Sequence, residues 1–285
     1  LAVWVVFGLM DLSNLFNLIA VSLFTFGLIG SGLLSSTLHL GHPERAWRAL
    51  SQWRSSWLSR EGVLSVLVLI TLSGWFLYSL MYGPPPQWVG FLIIILILAT
   101  VYATAMIYAS LKTVLCWYNP LTPFCYLMFA ASGGLLANLF LMSIFGQYTS
   151  SSIYKFLSFL ILLTWFIKFA WWRNLDTNIS KSNLSTATGL GSFGEIRSLM
   201  PPHTSENYLQ KEMGFVIARR HAIKLRFISV VLGGIIPLII IIPGTLSSVL
   251  LGFALVSHLI GVFIERWLFF AEAKHIVSLY YGKSI

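Results

Sequence analysis

WVGFLIIILILATVYATAMIYASL, residues 88–111, is a run of 24 residues that contains no charged side chain. A helix that crosses a bilayer needs about 20 consecutive, mainly apolar residues, so this run is long enough to span a membrane. Six further apolar runs occur along the chain, and together they predict seven spans. These are approximately residues 14–38, 62–82, 88–111, 123–146, 153–172, 227–244 and 247–271. We therefore predict an all-α fold, a polytopic transmembrane helix bundle that forms a single integral membrane domain over residues 1–285.

A shorter apolar run, residues 1–10, precedes the first of these spans. It is too short to cross a bilayer, and it lacks the basic start and the cleavage site of a signal peptide. The chain also begins with Leu1 rather than with methionine. We interpret the run as the end of a first helix that is partly missing from this chain, which brings the expected number of helices to eight.

The composition excludes a soluble protein. The chain is 57% hydrophobic and only 9% charged, whereas a soluble domain carries about 25% charged residues. The formal net charge of +9 does not indicate a nucleic-acid partner, because the basic residues lie in loops on one side of the predicted membrane. There they face the anionic lipids of the inner leaflet.

The distribution of Lys and Arg predicts the orientation in the membrane. Of the 18 basic residues, 17 are predicted to lie on one side, and Lys155 is the exception. Short loops rich in Lys and Arg stay in the cytoplasm, and long loops count less in this rule. The short Arg-rich loop of residues 40–60 by itself indicates the same orientation. We therefore expect a multi-pass protein of the inner (cytoplasmic) membrane with its basic loops in the cytoplasm. The 17 residues are Arg45, Arg48, Arg54, Arg60, Lys112, Lys168, Arg173, Lys181, Arg197, Lys211, Arg219, Arg220, Lys224, Arg226, Arg266, Lys274 and Lys283.

The loop of residues 173–226 is unusually long. Its first part is rich in Ser, Asn and Gly, while residues 206–226 carry apolar residues among charges at roughly helical spacing. That spacing predicts a surface helix leading into the next span. Because structureless loops of this length are uncommon in compact proteins unless they have a function, we expect the loop to be a cytoplasmic docking element.

The densest polar segment, residues 36–61, contains the candidate site. His39 closes the second span and Glu61 opens the third, so both are predicted at one depth near the cytoplasmic boundary. An imidazole facing a carboxylate there suits a quinone, which takes up two electrons and two protons and needs a proton route. The alternative is an interfacial His and a Glu paired with Arg60 or Arg48. The residues by themselves favour neither interpretation.

Other polar residues predict no resident metal or haem. His258 lies in the middle of the last span and is expected to bond to a neighbouring helix, because a haem would need a second axial ligand facing it. Glu265 and Arg266 lie inside the cytoplasmic end of that span, so we expect them to pair within the bundle or with the polar loop of residues 40–60. Cys116 and Cys125 are too few for an iron–sulfur cluster, which needs about four thiolates.

Two motifs, HLGHPERAWRAL (39–50) and SSWLSRE (55–61), resemble the membrane anchor of dimethyl-sulfoxide reductase and its relatives. The motifs TPF (122–124) and RWLFF (266–270) fit the same family. The resemblance implies an eight-helix subunit without haem that binds a quinone and holds an iron–sulfur subunit, which contacts a molybdopterin catalytic subunit. It implies a quinone site at His39 and Glu61. The residues expected around that site are Arg45, Arg48, Arg60 and Arg266.

A narrower likeness lies in the long loop and the C-terminal end. The stretches ATGLG (187–191), PPHTSENYL (201–209), EMGF (212–215), ARRHA (218–222) and ERWLFFAEAKH (265–275) resemble the anchor of cytoplasmic, membrane-bound sulfite dehydrogenases. The orientation inferred from charge agrees with a complex that faces the cytoplasm.

The leading interpretation is a quinone-binding anchor subunit that passes electrons from sulfite, through molybdenum and iron–sulfur partners, to ubiquinone or menaquinone. A second interpretation is the anchor of a dimethyl-sulfoxide- or tetrathionate-type reductase that oxidises quinol. A third, from a different class, is a transporter or a purely structural anchor. A transporter should carry polar groups near the midplane of several helices and internal repeats, and the sequence offers little beyond His258 and scattered Ser, Thr and Asn.

Overall fold

The computed structural model of the chain describes residues 1–38, 42–177, 184–196, 216–244 and 247–273. Regular secondary structure within these residues is entirely helical, which confirms the predicted all-α class. Among the helices in these residues, seven are long and apolar enough to cross a membrane. The helices are α1 (Ala2–Val6), α2 (Leu15–Leu38), α3 (Trp57–Tyr82), α4 (Gln87–Ala109), α5 (Leu121–Ile144), α6 (Ser151–Thr177), α7 (Leu184–Thr188), α8 (Val216–Arg220), α9 (Ala222–Ile241) and α10 (Ser248–Ala271). Two 3₁₀ segments, Pro43–Gln52 and Gly191–Phe193, lie between them.

Three spans are longer than the apolar pattern predicted, and one of them, α9, begins at Ala222 instead of residue 227. Helix α3 begins at Trp57 instead of residue 62, with the Ser56 side chain as its N-cap. Helix α6 runs to Thr177, five residues beyond the predicted end. A helix continues beyond its apolar core when polar residues near its ends find partners, and hydropathy alone does not register this. Lys168, counted above with the loop charges, lies well inside α6 and is buried there.

Helix α5 is at the centre of the bundle and is the most buried of the seven spans. It packs against α4, α6 and α10, and α3 and α4 form a helical hairpin beside it. The core consists of fully buried aliphatic side chains on these helices, including Leu135, Leu136, Leu139, Leu157 and Leu251. The side chains on the outward faces are largely apolar and exposed, as expected for surfaces that contact lipid.

Helices α9 and α10 cross at very close range. A Cβ atom on Gly261 would lie 2.1 Å from the backbone nitrogen of Gly233, so only glycine fits at this crossing. Residues Val231–Ile235 form a π-helical turn, and two carbonyls of this stretch are bonded by side chains of α10. Ser257 Oγ donates to Leu232 O at 2.7 Å, and His258 Nδ1 lies 2.6 Å from Gly233 O. The expectation that His258 bonds to a neighbouring helix is therefore confirmed.

The two ends of the bundle differ in character. At one end the α1–α2 and α5–α6 loops are joined by two hydrogen bonds: Asp11 N donates to Gln147 Oε1 at 2.9 Å, and Gln147 Nε2 donates to Asp11 O at 2.7 Å. The other end carries Pro43–Gln52, the α4–α5 connection and the C-terminal ends of α6 and α10. We call it the charged end, because nearly all described basic residues lie there.

Candidate functional site

Glu61 lies at the charged end, four residues after the start of α3. Its carboxylate is half-buried and points toward α4, where Thr104 Oγ1 donates to Glu61 Oε1 at 2.7 Å. Arg60 points elsewhere: its guanidinium donates to the carbonyls of Trp53 and Arg54 at 3.0 and 2.7 Å. Among the described residues, the alternative ion pair between Glu61 and an arginine of this segment is not formed.

His39, the other half of the predicted pair, lies outside the described residues. Its closeness to Glu61 therefore stays a prediction. His42, three residues later, is exposed, and its Nδ1 lies 2.9 Å from Glu44 Oε1.

The arginines of the Pro43–Gln52 segment lie on the surface. Arg45 and Arg48 are exposed, with Arg45 Nε 3.9 Å from a Glu44 oxygen and the Arg48 guanidinium 5.6 Å from the ring centre of Trp47. Trp47 and Trp53 are themselves 67% and 54% exposed. The structure therefore places Arg45 and Arg48 on an exposed basic and aromatic face.

Arg266 belongs to a buried ionic cluster. Its Nε and Nη2 contact the two carboxylate oxygens of Glu265 at 2.5 and 2.8 Å. Lys168 Nζ of α6 lies 2.5 Å from Glu265 Oε1, and both of these side chains are almost completely buried, with exposures of 1% and 0%. The expectation that Glu265 and Arg266 pair within the bundle is confirmed. Sequence reasoning missed Lys168, although its position in the aromatic run WFIKFAWW (165–172) was a usable signal.

Aromatic rings enclose these charges. The Arg266 guanidinium lies 4.5 Å from the ring centre of Tyr126, and Lys168 Nζ lies 3.5 Å from that of Trp171. Such contacts stabilise a desolvated cation by about 0.5–2 kcal/mol each. The Arg266 Nη1 group is buried and has no hydrogen-bond partner among the described residues. It is a spare donor inside the bundle.

The TPF and RWLFF motifs meet in this aromatic shell. Trp171 Nε1 donates to Thr122 Oγ1 at 3.1 Å, and Thr122 Oγ1 donates to Trp117 O at 3.0 Å. Trp117 Nε1 in turn donates to Phe269 O at 2.8 Å, and its ring stacks on that of Phe269. Two segments separated by more than 140 residues thus form one packed unit.

Tyr108 connects Glu61 with the ionic cluster. Its ring packs against those of Tyr126, Phe269 and Phe270 at centroid distances of 5.4 to 6.1 Å. The charges of both Glu61 and Arg266 act on its hydroxyl group. Glu61, Tyr108, Tyr126 and Arg266 all lie within five residues of a helix end at the charged end. We define the polar layer as the row of side chains that crosses the bundle from α3 to α6: Glu61, Thr104, Tyr108, Tyr126, Arg266, Glu265 and Lys168.

A second cluster lies nearer the surface of the charged end. Arg226 of α9 donates to both oxygens of Asp176 at 2.8 and 3.0 Å, and to Glu272 Oε1 at 2.9 Å. Asp176 is the last residue but one of α6, and Arg226 lies four residues after the start of α9, so this contact joins the two helices that flank the long loop. Arg219 donates to the carbonyls of Ala271 and Ala273 at 2.9 Å and caps α10. Burial raises the pKa of the Glu272 carboxyl above its usual value, against the opposing effect of Arg226.

No group of three or more His, Cys, Asp or Glu side chains suited to a metal ion occurs in the part of the protein that the structure describes. A cleft of about 1070 Å³ opens at the opposite end among α1, the start of α2 and the α3–α4 hairpin, and it is lined mainly by apolar residues such as Trp75 and Phe91. It does not coincide with the polar layer.

Seven apolar helices around a layer of buried charge define a multi-pass helical membrane protein. The family model of the DMSO reductase anchor subunit matches residues 5–282, and the protein belongs to this family. It is 31% identical over 279 residues to a sulfite dehydrogenase subunit of Allochromatium vinosum, an alignment that covers 91% of this protein and 84% of the relative. It is 33% identical over 122 residues to a polypeptide of the anaerobic dimethyl sulfoxide reductase of Escherichia coli K12, an alignment that covers 42% of both sequences. No solved structure matches.

Proposed function

We propose that this protein is the quinone-reactive anchor subunit of a molybdopterin and iron–sulfur oxidoreductase. In this proposal an iron–sulfur partner delivers electrons at the charged end, and a quinone bound in the membrane accepts them. The observation that carries the proposal is the polar layer, in which a half-buried carboxylate, Glu61, and a spare buried donor, Arg266 Nη1, flank the aromatic rings around Tyr108.

The chemistry of a quinone fits these groups. Its ring is flat and apolar and packs favourably against aromatic side chains, such as those of Tyr108 and Phe270. Its carbonyl oxygens need hydrogen-bond donors and, on reduction, two protons, which positioned side chains such as Glu61 and His39 can supply. Within the ionic cluster, Lys168 and Arg266 together outweigh the charge of Glu265, so this side of the layer favours negative charge that develops on the quinone.

The exposed basic face supports partner docking. Arg45 and Arg48 are unburied and stand beside exposed Trp47 and Trp53. Arginine pairs bidentately with carboxylates, and tryptophan and arginine are favoured at protein interfaces. We propose that the iron–sulfur subunit binds this face together with the loop of residues 173–226, whose ends are joined by Asp176 and Arg226. The charge asymmetry supports a cytoplasmic position for this docking surface.

Sulfite is the electron donor that we propose, since the alignment with the sulfite dehydrogenase subunit covers 91% of the protein. Electrons would pass from sulfite to molybdenum in the catalytic partner, through iron–sulfur clusters, and to ubiquinone or menaquinone at this subunit. The match to the dimethyl sulfoxide reductase polypeptide favours a second candidate, a reductase that oxidises quinol.

Purification of the complex through this protein distinguishes the candidates. Mass spectrometry would identify the partners, and assays of sulfite-dependent quinone reduction and of quinol-dependent reductase activity would give the direction of electron flow. Recovery of this protein without any molybdopterin partner would support a transporter or a purely structural anchor.

The site is tested by Glu61→Gln and His39→Ala in the intact complex. Each should lower quinone-coupled turnover by roughly a hundredfold or more, because each removes a proton donor or acceptor from a reacting group. Assembly and turnover with an artificial dye should be retained. Glu44→Gln is the matched control, since this carboxylate lies nearby in the sequence but is 62% exposed. Normal quinone kinetics in both site variants would overturn the proposal.

A further inference from the structure

Glu272 is a buried carboxylate, and one of its two oxygens has no hydrogen-bond partner among the described residues. It directly follows α10, and its side chain is only 7% exposed. Oε1 accepts a hydrogen bond from Arg226, whereas Oε2 is buried without a partner among the described residues. Burying a polar oxygen without a hydrogen-bond partner costs folding free energy. The ion pair with Arg226 therefore does not by itself explain why this carboxylate is buried. The exposed side of the same arginine is already occupied by Asp176, which is 58% exposed.

Glu272 is linked to the polar layer through the ring of Trp172: the guanidinium of its partner Arg226 lies 5.4 Å from the centre of that ring, and Lys168 Nζ lies 5.1 Å from it. Glu265 precedes Glu272 by seven residues, which is about 10 Å along a helix. The Glu272 side chain is only 7% exposed, so its carboxylate is packed against the bundle. Lys168 is near enough for its charge to act on the Glu272 carboxylate, and it contacts Glu265 directly. Ionisable groups therefore continue from the surface of the charged end, through Glu272 and Lys168–Glu265, to the layer that contains Glu61.

We propose that Glu272 takes up protons from the solvent at the charged end for the quinone site, with the Lys168–Glu265 pair as the relay between them. The inference rests on the proposed quinone function. The Lys168–Glu265 pair first gives a proton toward the quinone. Glu272, which has taken up a proton from solvent at Oε2, then passes that proton to the pair. Each passage moves one proton from solvent to a quinone oxygen, and the electrons come from the iron–sulfur partner.

The surroundings of Glu272 suit this role. Burial raises the pKa of its carboxyl, which brings proton uptake and release closer to neutral pH than for an exposed glutamate. The charged groups that face it are Arg226 of α9 and Asp176 and Lys168 of α6, while Arg219 of α8 bonds to the adjacent backbone. In the wild type, turnover limited by proton uptake should fall as pH rises through the pKa of Glu272, because only the protonated acid can pass a proton inward.

The test uses the complex purified through this protein, with quinone-coupled and dye-coupled turnover measured from mildly acidic to alkaline pH. Glu272→Gln keeps the shape of the side chain and an acceptor for Arg226 but cannot titrate. It should lower quinone-coupled turnover by roughly tenfold or more, most strongly on the acid side, flatten the pH profile and spare dye turnover. A small weak acid such as imidazolium should restore part of the rate. Asp11→Asn, which changes an exposed carboxylate at the opposite end of the bundle and keeps an acceptor for Ser13 N, should keep the wild-type profile.

The outcomes separate the two proposals. A wild-type rate and pH profile in Glu272→Gln, with an impaired Glu61→Gln, would overturn the uptake role alone, while normal kinetics in both variants would overturn the quinone site itself. If Glu272→Gln loses assembly and dye turnover as strongly as quinone turnover, and weak acid does not restore the rate, Glu272 has a purely structural role and the proposal is wrong. If Glu272→Gln does not assemble, Glu272→Asp is used to test the proton-uptake role of residue 272. Its shorter, better solvated carboxyl should shift the pH profile to lower pH, and an unmoved profile would contradict the proposal.

Discussion

Replacing Glu265 by Gln should be far more damaging than replacing its partner Lys168 by Met. Glu265 is fully buried and contacts two cations, Lys168 at 2.5 Å and Arg266 at 2.5 and 2.8 Å. Glu265→Gln leaves the Lys168 ammonium buried without a counterion, and breaking a buried pair in this way costs about 3–5 kcal/mol. That corresponds to roughly a hundredfold to several-thousandfold in the unfolding equilibrium.

Lys168→Met has a different effect. Glu265 keeps its two contacts with Arg266, so the carboxylate stays neutralised, and methionine fills a similar volume. The loss is then mainly the contact of Lys168 with the Trp171 ring at 3.5 Å, a contribution of about 0.5–2 kcal/mol. Adding Lys168→Met to Glu265→Gln should restore at least about 1 kcal/mol, because it removes the unpaired ammonium.

The assay is unfolding of the purified protein in mixed micelles, by titration of dodecyl maltoside with SDS and with tryptophan fluorescence as the readout. The three variants form a double-mutant cycle with the wild type. Equal destabilisation by Glu265→Gln and Lys168→Met would refute the reasoning, since it would mean that Arg266 does not compensate Glu265. A double variant less stable than Glu265→Gln would refute it as well.

Three further predictions concern the fold and the charge pattern. Gly261→Ala should sharply lower the yield of folded protein, because its Cβ would lie 2.1 Å from a backbone nitrogen. Gly74→Ala, with nothing within 4 Å of its Cβ, should be tolerated. A normal yield for Gly261→Ala would contradict the close crossing. Single cysteines at Ser51 and Tyr148, both exposed, should label oppositely with an impermeant thiol reagent in intact cells, and outside labelling of the Ser51 site would overturn the orientation. Deletion of residues 185–194 should release the catalytic partners into the soluble fraction; partners that stay bound to the membrane would exclude this segment from the docking surface.

Much of the fold could be predicted because the bilayer simplifies the physics. Apolar length determines which segments can span, so seven spans were identified, including the helix now bounded by Gln87–Ala109. The errors lie at helix ends: α3 starts five residues earlier than residue 62, α6 ends at Thr177 instead of residue 172, and α9 starts at Ala222 instead of residue 227. Hydropathy reports the hydrocarbon layer, whereas a helix ends where its terminal backbone groups and polar side chains find partners.

The candidate site was only partly predictable. The position of Glu61 near the charged end of a span was predicted, but its hydrogen bond with Thr104 on α4 was not. Lys168 was misassigned to a loop because a lysine near the end of an apolar run normally reaches water. The partner that keeps it inside the bundle, Glu265, is 97 residues away in the sequence. Nothing local to residue 168 reveals that contact.

The sequence by itself determined that this protein is a helical membrane protein, which segments cross the bilayer, and which residues are polar where polarity is costly. These properties depend on each segment's own free energy of transfer into lipid. The tertiary structure decided which helices are neighbours, and therefore that Glu61, Tyr108, Arg266 and Lys168 share one layer. Helical periodicity specifies the face of the helix on which a side chain lies. Which neighbouring helix that side chain contacts depends on how the glycine, aromatic and charged surfaces of the helices pack together.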